Sequence, residues 1–275
     1  MQPNPTRDIH VIPGVGVAAH VLQGRELEIL RIRVEQPALI FVDRGIKTVR
    51  TERGASVRAR PGQAIVLDGG QTVDFTNAVT DGDHYEARWL VVDPALLNDA
   101  YYRSQAAQAP AVSVRRLAHI DDGLAAAFER ASGTLASAKI PPSVARQRVL
   151  EVMHWLLEEG VVLRGATTDS SVSLRVRKLF AAALGDDWTA DRVASELALS
   201  QATLRRRLAS EGSSLTELLV DARMATALTL LQATSQPVSH IALSVGYESP
   251  SRFAVRFRLR FGFAPTAVRG HERAN

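Results

Sequence analysis

The chain has 275 residues, a formal net charge of +4 and 46% hydrophobic residues, enough for one or two domains with sizeable cores. It has no cysteine, which excludes disulfides, thiolate metal sites and thiol chemistry. No run of about 18 apolar residues marks a membrane span, and the initial MQPNPTRDIHV lacks the apolar centre of an export signal, so a cytoplasmic location is expected.

Residues 10–93 read as β structure. LEILRIRV (from Leu27), ALIFVD (from Ala38), IKTVRTE (from Ile46), SVRAR (from Ser56), AIVLD (from Ala64) and HYEARWLVVD (from His84) are short runs rich in branched residues. Gly45, Gly54, Pro61-Gly62, Gly69-Gly70 and Asp81-Gly82 punctuate them, a spacing that suits an antiparallel barrel or sandwich. From residue 94 to 160 the pattern turns helical. GLAAAFERASGTLASA (from Gly123) and PSVARQRVLEVMHWLLEEG (from Pro142) are predicted helices, and Val149, Val152, Met153, Leu156 and Leu157 form an apolar stripe on the second. That stripe packs either on the β domain or against a second copy, which would make residues 123–160 a homodimer seam. The small, polar GATTDSS marks a linker at 165–172, between a first domain of residues 1–164 and a second of residues 173–275.

The last third holds an imperfect internal repeat. VASELALSQATLRRRLASEG (from Val193) is echoed by IALSVGYESPSRFAVRFRLRFG (from Ile241). Val193 matches Ile241, Ala194 matches Ala242, Leu204 matches Phe253 and Leu208 matches Phe257. Each copy reads as a short helix, a tight turn and a second helix that starts at a serine and carries arginines. That is the form of a helix-turn-helix, whose second helix lies in a DNA major groove. Between the copies, a predicted helix from Ser214 to Thr234, capped by Ser214 with Glu217 three residues on, is about 30 Å long. Successive major grooves on one face of a duplex are ~34 Å apart, so one subunit can present both units to one DNA face.

The basic excess sits here. Residues 171–275 hold 14 Lys and Arg against 9 Asp and Glu, whereas the rest of the chain is nearly balanced. In the first unit Leu204 and Leu208 face inward, leaving Gln201, Thr203, Arg205 and Arg206 on flanking or outer faces; Gln and Arg suit adenine and guanine edges. In the second, Phe253, Phe257 and Phe261 form a buried stripe. Arg252, Arg256 and Arg260 form a parallel stripe, and Ser249 and Ser251 stand at the helix start to cap it or hold phosphate.

On ALSQATLRRRL (from Ala198), IALSVGYESPSRFAVRF (from Ile241) and the FGFAP that follows, the tail resembles the DNA-binding domain of the AraC/XylS family of bacterial transcription regulators. The resemblance runs from about Ser173 to Arg269. It implies two helix-turn-helix units joined by a long helix, and control of promoter DNA with RNA polymerase, usually as an activator. By position, Ala202, Arg205 and Arg206 would face the first groove and Pro250, Ser251, Arg252 and Val255 the second. Val255 departs from the basic residue common there, and Arg252 or Arg256 would take over. RARPGQAIVLDGGQTVDFTN (from Arg58) resembles part of a cupin barrel, which implies an α+β chain with a cupin-like antiparallel β-barrel in front. Metal-binding cupins carry clustered histidines; His10, His20 and His84 are scattered here, so no metal, no cofactor and no catalytic residue is expected.

The leading expectation is therefore a DNA-binding transcription regulator, not an enzyme, controlled by a small molecule in the barrel or by a partner protein. Relatives with this layout bind fatty acids, other small carboxylates or sugars, and Arg31, Arg33 and Lys47 are the basic groups that would meet an acid. The alternative is a cupin-type binding protein or enzyme with an accessory helical domain.

Overall fold

A computed structural model describes residues 6–80, 84–107, 113–165 and 171–270. The Asp81-Gly82 turn and most of the expected linker lie outside these residues. The chain divides into two compact units. One comprises Met1–Thr167 with Gln232–Ser235 and Ala267–Asn275; the other comprises Thr168–Leu231 with Gln236–Thr266.

Among the described residues the first unit contains ten strands: β1 (Asp8–Ile12), β2 (Gly16–Gln23), β3 (Leu27–Val34), β4 (Ala38–Arg44), β5 (Ile46–Thr51), β6 (Ser56–Ala59), β7 (Gln63–Leu67), β8 (Gln71–Ala78), β9 (Tyr85–Val92) and β10 (Val114–Leu117). All strand pairs are antiparallel. They form a six-stranded sheet in the order β1-β2-β9-β4-β7-β10 and a four-stranded sheet in the order β3-β8-β5-β6. No ladder joins the edges of the two sheets among the described residues, so the expected barrel is not closed; it is an open pair of sheets. β10 falls in a stretch expected to be helical. Its four residues, two of them arginine, carry no periodicity, and pairing with β7 alone makes them a strand.

The described residues of this unit also form helices α1 (Ala100–Ala106), α2 (Asp122–Leu135) and α3 (Pro142–Glu158). Asp121 caps α2 by accepting from the Gly123 N–H at 2.7 Å, and Pro142 opens α3 at a position where its missing N–H costs nothing. β4 is buried from Ala38 to Val42, as a central strand covered on both faces must be. Phe41 on its outer face stacks on Phe128 of α2, with centroids 4.2 Å apart. Val149, Val152, Met153 and Leu156 of α3 are buried in the same cluster as Phe41 and Phe128. The apolar stripe of α3 thus packs inside the unit.

The second unit is helical: α4 (Val172–Ala182), α5 (Ala190–Glu196), α6 (Gln201–Ser210), α7 (Leu215–Ala233, its last two residues counted in the first unit), α8 (Val238–Ser244) and α9 (Pro250–Phe261). All but α8, which follows Pro237, start where a side chain accepts an orphan N–H. Ser171, Thr189, Ser200 and Ser249 accept from the N–H three residues on, and Ser214 does the same for Glu217 at 3.3 Å. α9 ends at Gly262, whose φ of 82° gives the left-handed stop. Val176, Phe180, Trp188, Val193, Leu204 and Leu208 make one core around α4–α6. Phe253, Phe257 and Phe261 are buried on α9, with Tyr247 and Phe263 in ring contact.

Candidate nucleic-acid interface and a buried lysine

α5 with α6, and α8 with α9, are the two helix pairs of the repeat. On α6, Leu204 and Leu208 are buried, which turns Gln201, Ala202, Arg205, Arg206 and Arg207 to solvent. Thr203 is half-buried because it belongs to the cap: its N–H lies 3.2 Å from Ser200 Oγ and its hydroxyl 2.9 Å from the same atom. Gln201 Nε2 donates to Asp191 Oδ1 of α5 at 3.1 Å, so its amide is tied to the preceding helix.

On α9 the phenylalanine stripe fixes the outer face in the same way. Pro250, Ser251, Arg252, Val255, Arg256 and Arg258 are exposed, and Ser249 is half-buried as the cap, accepting from Arg252 N–H at 3.4 Å. Arg260 leaves the expected stripe. Its Nε lies 2.9 Å from Asp221 Oδ1 of α7, and its guanidinium lies over Phe261 at 5.0 Å. Nothing in the α9 sequence signals this, because the partner carboxylate is 39 residues away. No acid lies within α9, so its outer face is a cationic surface.

Arg223 of α7 ties the turn between α8 and α9 to the loop after α4. Its Nη2 donates to Asp186 O at 3.0 Å and its Nε to Leu184 O at 3.4 Å, while the guanidinium lies 5.7 Å from the Tyr247 ring centroid. The role of Arg223 depends on contacts 37 and 39 residues away that no local spacing displays.

In the first unit the three basic candidates separate. Arg31 is exposed on a bulge of β3, with φ 55°, and its N–H donates to Asp74 Oδ1 at 2.7 Å. Arg33 is half-buried, its Nε 3.7 Å from Glu35 Oε1. Lys47 of β5 is fully buried between the sheets. Its Nζ donates to Asn77 Oδ1 at 2.9 Å and lies 4.2, 5.4 and 5.8 Å from the ring centroids of Phe75, Trp89 and Tyr85. Burial pushes the Lys47 pKa down to about 7. Beside it, Tyr85 Oη and Trp89 Nε1 are buried without a hydrogen-bond partner. The interior between the sheets therefore collects one cation and two orphaned polar groups in an aromatic wall. His20 and His84, remote in sequence, meet at Glu86, whose Oε1 is 2.8 Å from His20 Nε2 and whose Oε2 is 3.4 Å from His84 Nε2. Arg44 also approaches this carboxylate, at 3.5 Å.

Residues 193–271 match the family described as a helix-turn-helix domain. The C-terminal region is an AraC-type helix-turn-helix domain. This AraC-type domain is similar to that of the transcriptional regulator GadX of Escherichia coli CFT073, 39% identical over 83 residues, which cover 30% of each chain. It is also similar to the transcriptional regulator SirC of Salmonella typhimurium, 36% identical over 78 residues (28% of this chain, 26% of SirC), and to the transcriptional activator AggR of Escherichia coli, 34% identical over 96 residues (35% and 36%). The chain thus matches about a third of the length of these curated relatives. Over nearly its whole length the fold is that of ToxT from Vibrio cholerae, with a TM-score of 0.61 at 11% identity, covering 94% of this chain and 97% of that one. A ToxT structure described as unsaturated fatty acid bound gives 0.59 at 12% identity, covering 94% and 98%. At that identity the likeness is one of fold.

Proposed function

We propose that the protein is a sequence-specific DNA-binding transcription regulator, an activator, controlled by a small carboxylic acid held in its N-terminal unit, and acting in the cytoplasm on promoter DNA with RNA polymerase. The observation that carries this reading is the pair of capped helices α6 and α9. Each buries one apolar stripe and exposes arginines on the opposite face. In this reading Ala202, Arg205 and Arg206 of α6 enter one major groove, and Pro250, Ser251, Arg252, Val255 and Arg256 of α9 enter another. Lys47 supports the effector half: a buried amino group bonded to Asn77 Oδ1 rather than to a carboxylate would take up its proton on meeting an anionic ligand, and the neighbouring rings suit an apolar tail. The fatty-acid-bound ToxT of the same fold points to long-chain acids as the first class to try. A homodimer through residues 123–160 would have to use other faces of these helices, since the α3 stripe is buried within the unit.

The test is selection of duplexes from random-sequence DNA with the full-length protein, then titration of long-chain fatty acids into the complex. The expected result is a long, asymmetric site of two half-sites about one helical turn apart, with an affinity that changes on adding the acid. Failure to enrich any sequence overturns the DNA-binding half; an affinity indifferent to acids overturns the effector half.

A further inference from the structure

Three large apolar side chains stand out in solvent on the second helix-turn-helix: Leu243 of α8 is 55% exposed, and Val255 and Leu259 of α9 are 62% and 73% exposed. They border one open depression, shared with Ser251, Arg252 and Arg256. Positions 252, 255, 256 and 259 are three or four residues apart, so they form one row along α9, opposite the buried Phe253, Phe257 and Phe261. Folding gives Val255 no reason to be there. It buries little, and a β-branched residue costs helix stability relative to alanine.

The row is an apolar strip framed by cations. On α9, Arg252, Arg256 and Arg258 are exposed beside it and the helix itself carries no acid, while Asp186, Asp187 and Glu248 line the rest of the depression. The complementary surface is a polyanion with an apolar feature at the floor of its groove. In the major groove of B-DNA that feature is the C5 methyl group of thymine; the other groups read there are mostly hydrogen-bond donors and acceptors, which valine cannot use. Val255 is the sixth residue of α9, about 8 Å along its axis, in the half of a recognition helix that reaches base edges.

We propose that Val255 reads the methyl group of a thymine in the half-site of the second unit, so that the site carries an A·T pair there. The inference rests on the DNA-binding reading above and specifies one position of it.

The experiment uses full-length protein and the duplex enriched by selection, with each thymine replaced in turn by deoxyuridine. This deletes the methyl group and keeps every hydrogen-bonding edge. One buried methyl group corresponds to roughly fourfold in affinity. Wild-type protein is expected to lose about that factor at one thymine of the second half-site. Val255→Ala, at an exposed position, is expected to fold normally and to bind the thymine and uracil duplexes alike, and Val255→Arg to shift selection there towards guanine. A wild-type affinity indifferent to uracil throughout that half-site overturns the proposal, as does a Val255→Ala protein that keeps the uracil effect. If no duplex is enriched at all, the DNA-binding reading fails and takes this inference with it; a duplex enriched but blind to uracil sinks the inference alone.

Discussion

Ala198 and Gly246 adopt the same left-handed backbone conformation, φ 53° and 83°, in the two copies of one turn. The first copy tolerates a side chain at the usual cost of that conformation; the second does not, because Arg223 occupies the space. A Cβ on residue 246 would lie 2.5 Å from Arg223 Nη2, which donates to the Asp186 carbonyl, while Nε of the same guanidinium donates to the Leu184 carbonyl. Gly246→Ala is expected to destabilise the second unit by about 1–3 kcal/mol, whereas Ala198→Gly stays within about 1 kcal/mol of the parent. Denaturant unfolding of both variants measures the difference; equal effects would show that Arg223 yields freely.

Lys47 makes stability depend on pH. Its pKa falls from 10.5 in the unfolded chain to about 7 in the fold, so unfolding takes up a proton between those values. The contribution of the neutral amine is full above about pH 10.5, is lost as pH falls towards 7, and is constant below that. The slope in this window is at most about 1.4 kcal/mol per pH unit. Lys47→Met is expected to flatten it and to raise the melting temperature at neutral pH. A bound carboxylate acts oppositely to burial and moves the lysine back towards its ordinary value.

Arg206 and Arg252 are exposed on the outer faces of α6 and α9. Arg206→Ala and Arg252→Ala are each expected to weaken specific binding by roughly 1–3 kcal/mol if the contact is to a base edge, with altered preference at one base pair. A phosphate contact instead weakens all sequences alike and lowers the salt slope by about one. Wild-type footprints for both variants would refute the assignment of these groove-facing residues.

Phe257 tests the opposite face of α9. It is buried between Phe253 at 5.6 Å, Phe261 at 4.7 Å and Phe263 at 5.9 Å. Phe257→Ala removes that ring and is expected to cost about 3–5 kcal/mol. Thermal unfolding followed by circular dichroism should show the loss with or without DNA present.

The C-terminal helices were legible because their signals are local. A cap serine, a four-residue phenylalanine period and a stop glycine all fall within one element, and Ser249, Phe253, Phe257, Phe261 and Gly262 display them together. Most strands were legible for the same reason. β1, β2, β8 and β10 were not, since GVAAHVLQ mixes small and branched residues without alternation, QTVDFTNA is largely polar and β10 has only four residues; ladder pairing decides all four. The open sheets, the turn of Arg260 towards Asp221 and the separation of Lys47 from Arg31 and Arg33 depend on long-range contacts. Three basic residues on neighbouring strands look alike until a bulge at Arg31 and the pleat assign each to a face.

Trp188 has a use beyond packing. Of the three tryptophans, it alone belongs to the helical unit. It lies edge-on to Phe180 at 5.3 Å and beneath the Arg192 guanidinium at 4.3 Å, and its Nε1–H donates to Ala183 O at 2.8 Å. With Trp89→Phe and Trp155→Phe, the chain would keep a single indole emitter inside the first helix-turn-helix. Its fluorescence would report the melting of that half separately from the phenylalanine-built half, with no dye attached.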